Sequence, residues 1–342
     1  MGFFACAVKL PIRQSPRWVD MGKNVRICFH DRCFDGTASA AVFSRFYREC
    51  LDPTAEFRYT GLVHGPAGSV LDEGIFDGDE NVIVDFKYSS SPKLTWWFDH
   101  HQSAFLTSED AAHFGDHPSE KKFYNPDYKS CTKFLATVAR ERFGFNSEPL
   151  AELVQWADII DGAQYESPEA AVKMNVPATR LALVIEASND DGMTKRLIPE
   201  IASKSLAEIG RLPYVAEQFQ QLYRRHESSL DILRKHSEYD HEVIFFDLSD
   251  YRLEGYNKFI PYYLFPECLY SVGVSRSAQR IKVAVGSNPW KQSGPKREKN
   301  LASLCERYGG GGHARVAAIS FKPNDVERAR AAGRAIAEEL RR

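Results

Sequence analysis

Val25, Ile27 and Phe29 alternate along NVRICF and the alternation stops at His30, which predicts a strand running into a loop. After Asp35-Gly36 the period lengthens. Ala38, Val42 and Phe46 recur every four residues, with Ser44, Arg45 and Arg48 outward, as on an amphipathic helix. Two short apolar runs follow, Val82-Ile83-Val84 and Leu94 to Phe98. They are too short for helices and rich in β-branched and aromatic residues, so buried strands are expected. Ser147, with Pro149 in the first turn, opens a helix carrying Leu150, Leu153, Val154 and Ala157. Residues 196–235 are helical and charged, and the strand pattern returns at 242–246, 269–275 and 280–286. Asn300 is placed to cap the helix LASLCERY, which runs into four glycines at 309–312 and then His313, and Asn324 starts a final Ala- and Arg-rich helix.

The strands before His30, Asp85 and Asp99 each end on a polar, ligand-type residue. In an open parallel α/β sheet the carboxyl ends of the strands form the rim where ligands bind. Three such residues should therefore converge on one crevice. The expected architecture is a doubly wound, mostly parallel α/β domain over 21–195, a helical connector over 196–235 and a smaller α/β domain over 236–342. Residues 1–20, ahead of Met21, are expected to be an extension the fold does not need.

Composition narrows the function classes. The 342 residues are 43% hydrophobic, enough for two cores. The balance of 44 basic and 46 acidic side chains leaves a formal charge of −2, so no chain-wide basic field exists for long nucleic acid. Seven scattered cysteines without a CxxC pair fit a reduced, cytoplasmic setting better than a disulfide framework. No stretch approaches the roughly 20 apolar residues of a membrane span. The start MGFFAC lacks a basic n-region, and Cys6 stands where myristoylation needs Ser or Thr, so neither signal is expected.

Asp99-His100-His101 follows the aromatic strand LTWWF. Upstream lie His30-x4-Asp35-Gly36 and Asp85, and downstream WADIIDG, with Asp158 and Asp161. Imidazole and carboxylate donors at separated element ends suit manganese or a related divalent ion. Two ions sharing a carboxylate can activate water and clamp an in-line phosphoryl displacement.

These ordered motifs resemble the DHH phosphoesterase superfamily, which includes RecJ-type exonucleases, nano-RNases, cyclic-dinucleotide phosphodiesterases and manganese pyrophosphatases. The resemblance covers most of the chain. GGGGH at 309–313, after SNPW at 287–290, resembles the DHH-associated domain. It implies that His30 and Asp35 bind metal from the first loop, that Asp85 bridges two ions, and that His100 is a further ligand supported by Asp99. It also implies that His101 faces the phosphate and that one fourth-motif aspartate, Asp158 ahead of Asp161, completes the shell. Two Mn²⁺ ions are implied, with Mg²⁺ or Co²⁺ as substitutes. The first motif departs from the family where many members carry two aspartates two residues apart, because Cys33 stands in place of the first. One metal site is then weaker, reshaped, or served by Asp31 or a water, and the alternative is that Cys33 is a small buried residue.

In the C-terminal domain, the glycines allow backbone amides to face a phosphate. Gly310, Gly311, Gly312, His313 and Arg315, with Arg276 and Asn288, are the candidate substrate contacts. Between Arg276 and Lys299 seven basic residues accompany a single acid, Glu298. Trp290 is a candidate stacking surface or a core residue. The implied substrate is a short oligonucleotide or a dinucleotide, linear or cyclic, with no membrane partner; a homodimer is left open. A pyrophosphatase, a 3′,5′-bisphosphate nucleotidase and a non-catalytic nucleotide sensor are the competing readings.

Overall fold

The computed structural model describes residues 22–63, 71–188, 190, 192–251, 253, 255–291 and 299–342. The expected extension over 1–20, and Lys296, Arg297 and Glu298 of the basic run, lie outside them. Strands β1 (Asn24–His30), β2 (Glu56–Leu62), β3 (Glu80–Val84), β4 (Trp96–Asp99) and β5 (Lys122–Tyr124) form one sheet in the order β2-β1-β3-β4-β5, every pair parallel. Parallel neighbours need crossovers rather than hairpins. Helix α1 (Phe34–Cys50) makes the first crossover, and α2 (Ser108–Asp116) lies between β4 and β5. The polypeptide continues through α3 (Cys131–Phe143) and α4 (Ala151–Asp161).

Both faces of this sheet are covered, which is why β3 is buried along its whole length and shows no polar alternation. On one face Phe43 and Phe46 of α1 meet Trp96 edge-on, at ring centroids of 5.7 and 5.9 Å. On the other, Ile83 and Trp97 pack with Tyr88 and Phe114. Trp96 Nε1 donates to buried Glu80, whose carboxylate also receives Lys23 at 2.7 Å. Burial opposes ionisation of Glu80, but these bonds outweigh it and lower its pKa. Glu80→Ala should cost about 1–3 kcal/mol by orphaning the indole donor. Because the folded carboxyl is the stronger acid, the stabilisation holds above the ordinary glutamate range and fades as pH falls below it. Urea titrations of both proteins at neutral and acid pH measure this, and equal stability at both would refute the assignment.

Five further helices, α5 (Pro168–Val172), α6 (Pro177–Ala187), α7 (Met193–Ser203), α8 (Leu206–Gly210) and α9 (Pro213–His236), lead to the second domain. Leu197 and Ile201 of α7, Ile209 of α8 and Leu222 of α9 belong to the first core. Much of the expected connector over 196–235 thus packs on the first core, while Leu230 and Leu233 in the later turns of α9 pack with the second domain. The early turns carry an apolar stripe that docks rather than spans.

In the second domain β6 (Ser237–Asp240), β7 (Val243–Leu248), β8 (Tyr270–Arg276), β9 (Ile281–Ser287), β10 (Gly311–His313) and β11 (Val316–Phe321) pair as β10-β11-β9-β8-β7-β6. Of these described strands, only β7 and β8 run parallel. Helix α10 (Ile260–Leu264) precedes β8, α11 (Leu301–Glu306) precedes β10, and α12 (Val326–Arg341) lies on the sheet. Three strands expected from pattern are present as β7, β8 and β9. The first domain reaches across: α5 buries Ala171 and Val172 against Phe246 and Ile260, and Asn257 Nδ2 donates to Ala171 O at 2.9 Å. Among the described residues no helix is long and apolar enough to cross a membrane.

Candidate metal centre

The strand order places the switch point of the first sheet between β1 and β3, the position where open α/β sheets bind ligands. Phe29 pairs with Val84 and Val84 with Phe98, so His30, Asp85 and Asp99 lie level at three adjacent strand ends. Asp85 adopts φ 57°, a left-handed conformation unusual for a residue with a side chain, and its amide donates to Phe98 O at 2.9 Å. Such strain is kept where surrounding structure enforces it, and it is enriched at functional sites. The start of α1 presses on the same point. A Cβ at Gly36 would lie 2.2 Å from His30 O, so only glycine lets Asp35 approach this closely.

Each donor is oriented from behind. His100 Nδ1 lies 3.1 Å from Tyr128 O, so it carries the proton and Nε2 faces the crevice. There Nε2 stands 3.4 Å from Asp85 Oδ1, 3.5 Å from Asp161 and 3.6 Å from Asp35. Asp35 is fixed by the amides of Cys131 and Thr132 at the start of α3, at 2.6 and 2.9 Å. His30 Nδ1 lies 3.3 Å from Asp85 Oδ2. Asp85 and His100 are only 1% and 8% exposed, yet Asp85 Oδ1 and His100 Nε2 have no hydrogen-bond partner. Asp99 Oδ2 is orphaned in the same way.

The electrostatics of this arrangement ask for a cation. Burial and the charges of Asp85 and Asp161 push the Asp35 carboxyl well up. Partial desolvation and Asp85 push Asp161 up to about 6. Burial opposes charge on His100, but the nearby carboxylates of Asp85, Asp35 and Asp161 outweigh it and raise its pKa. Burial opposes ionisation of Asp85, but the imidazoles of His100 and His30 beside it overcome this and hold it well below the carboxylate range. Three carboxylates around one imidazole edge, with buried atoms unpaired, fit divalent metal. Donor atoms group as His30–Cys33–Asp85, Asp85–His100–His101 and Asp35–His100–Asp161, each within 4.8 Å of one another. Asp85 is shared by two of them.

Several sequence expectations change in detail. Asp161, the last residue of α4, faces His100, whereas Asp158 is taken by Lys133 at 2.7 Å and Ser130 at 3.3 Å. The preference for Asp158 thus gives way to Asp161. Asp99 supports His101 rather than the His100 ring: its Oδ1 lies 2.7 Å from His101 Nδ1, while also accepting the His100 amide. That bond leaves His101 Nε2 to face outward. Asp31 points away, accepting Thr194 Oγ1 of α7 at 2.7 Å.

In the second domain Asn288 is a loop brace, not a free contact. It is 1% exposed, its Nδ2 donates to Cys268 O at 2.8 Å, and its Oδ1 accepts the Trp290 amide. Trp290 packs on Phe259 and donates to Tyr165 O at 2.8 Å, joining the two domains a few residues after Asp161. Arg315 braces Ser287 and the Asn288 carbonyl. Gly311, Gly312 and His313 form edge strand β10 rather than an open loop, and His313 and Arg276 are exposed. Gly310 precedes that strand, and Gly312, at φ 148°, has no room for a Cβ beside Val316 O. Sequence reasoning missed Lys258 of the second domain: burial raises the Asp161 and Glu186 carboxyls, and the Lys258 charge partly offsets that rise. No local motif marks it.

No family model and no curated protein sequence matches the chain. Among solved structures, a pGpG-specific phosphodiesterase, PggH, from Vibrio cholerae superposes with TM-score 0.67 at 20% identity, covering 93% of this chain and 99% of that one. A DHH domain described as a member of the s1p family of ribosomal proteins gives 0.58 at 15% identity, over 93% and 87%. RecJ from Thermus thermophilus, in complex with Mn²⁺, gives 0.53 at 17% identity over 93% of this chain, which spans 52% of RecJ. The chain shares the fold of DHH-domain proteins.

Proposed function

We propose that this protein is a metal-dependent phosphodiesterase of the DHH superfamily that hydrolyses dinucleotides or short oligonucleotides. The observation that carries the reading is the pair of buried, unpartnered ligand atoms, Asp85 Oδ1 and His100 Nε2, at the switch point of the parallel sheet. The similarity to a structure named as a pGpG-specific phosphodiesterase supports the substrate class. Manganese is the preferred ion, supported by the imidazole–carboxylate donors and by the RecJ structure solved with Mn²⁺.

His30, Asp35, Asp85, His100 and Asp161 would hold two divalent ions, with Asp85 common to both. Bound there, such ions would supply an activated water and neutralise charge at phosphorus. His101, held by Asp99, presents Nε2 to the substrate phosphate. Lys258 carries positive charge from the second domain towards the same crevice. Gly310 to His313 and Arg315 take the far phosphate or base of the substrate.

The test is a screen of purified protein with Mn²⁺ against linear and cyclic dinucleotides, adenosine bisphosphate and pyrophosphate. Turnover of dinucleotides that stops with chelator is expected. Turnover confined to pyrophosphate or to the bisphosphate would replace this reading, and tight binding without turnover would make the protein a sensor. In the same assay His313→Ala should lower kcat/KM for a dinucleotide about ten- to a hundredfold, the worth of one charge-assisted hydrogen bond. Metal content should not change, and a small artificial diester should be largely spared. Equal losses on both substrates would make His313 structural or part of the metal site.

A further inference from the structure

We infer that Cys33 is a metal ligand, and that the centre therefore has one thiophilic position and one hard position. The inference rests on the metal-dependent reading above and specifies the class of ion each half takes. Cys33 Sγ, a ring nitrogen of His30 and a carboxylate oxygen of Asp85 lie within 4.8 Å of one another. Ligand atoms around a tetrahedral ion with bonds of about 2.0–2.3 Å stand about 3.3–3.8 Å apart, so a closing movement of about 1–1.5 Å completes the group. Asp85 turns Oδ2 towards His30 and keeps its buried Oδ1 without a hydrogen-bond partner.

A further observation points the same way. Asp31, the other candidate from this loop, is spent on Thr194 and on the Arg32 amide. A thiolate–imidazole–carboxylate set selects Zn²⁺, Co²⁺ or Fe²⁺ over Mn²⁺ and Mg²⁺, so the manganese preference proposed above holds for the other position alone. Asp35, His100 and Asp161 offer only oxygen and nitrogen, and keep the harder ion. As the metal–sulfur bond forms, the thiol proton passes to solvent.

Titration of the metal-free, full-length protein with Co²⁺ alone tests this. A thiolate-to-cobalt charge-transfer band should grow with the first equivalent and stop there, while a second ion binds without adding to it. Cys33→Ser should abolish the band and weaken Zn²⁺ at that position at least tenfold, yet still take one ion, which shows that the site remains folded. Cys33→Asp should regain two-ion occupancy without the band and favour Mn²⁺. Two bound Co²⁺ with no band in the unaltered protein would overturn the Cys33 assignment and leave the metal centre standing. A band that survives Cys33→Ser would also overturn it, by assigning the sulfur to another cysteine. Absence of Co²⁺ binding altogether would overturn both readings.

Discussion

Asp85→Ala should lower kcat/KM for a dinucleotide at least about a thousandfold, equivalent to about 4 kcal/mol of transition-state stabilisation, and should strip bound metal. The size follows from position. Asp85 belongs to two of the three donor groups and lies 3.4 Å from the His100 nitrogen of the third, so its loss weakens both ion positions at once. Its removal also takes a carboxylate from beside both His30 and His100. Alanine at φ 57° adds backbone strain that could weaken the fold, so Asp85→Asn is the companion variant, because asparagine tolerates the left-handed region. Asp85→Asn should fold normally, bind less metal and remain inactive. Elemental analysis beside steady-state rates decides the matter. Near-normal turnover in either variant, or in chelator-treated enzyme, would end the two-ion reading.

Asp99→Asn should reduce kcat about a hundred- to a thousandfold while leaving two ions bound. The Asp99 carboxylate accepts from His101 Nδ1 and also from the His100 amide, so it sets both the ring and the turn that carries it. Burial opposes charge on His101, but the bond to Asp99 and the nearby Asp85 outweigh it and raise its pKa. An amide in that place can still hold the turn, but it offers no charge to the imidazole and can present its NH₂ to Nδ1, reversing the tautomer. Proton transfer by a positioned side chain is worth about a hundred- to ten-thousandfold. A fall in kcat with KM and metal content little changed is the expected signature. Loss of an ion would instead place the unpartnered Asp99 Oδ2 in the ligand shell.

The sequence by itself determined where the crevice had to be. Short apolar runs end on His30, Asp85 and Asp99, and a buried parallel strand leaves no other signal than where its apolar run stops. The Asp-Gly after Cys33 and the glycines before His313 were legible for the same kind of reason, since glycine marks positions a Cβ would block. The β2, β5, β6, β10 and β11 strands were not legible. β2 and β5 are half-buried edge strands, β5 only three residues long, and β10 is mostly glycine, so neither periodicity nor an apolar run declares them.

What only the tertiary structure decided is direction. Asp158 and Asp161 stand one turn apart on α4, and it is the Lys133 ammonium, on another helix, that claims the first and leaves the second for His100. Asp31 and Cys33 stand two residues apart in one loop, and Thr194, far along the chain, draws Asp31 away. Asn288 and Trp290 looked available for substrate until their partners at Cys268 and Tyr165 were placed. In each case local pattern gives the residue type and the element that carries it. Which way a polar side chain turns depends on a hydrogen-bond partner many residues distant, brought near only when the cores pack.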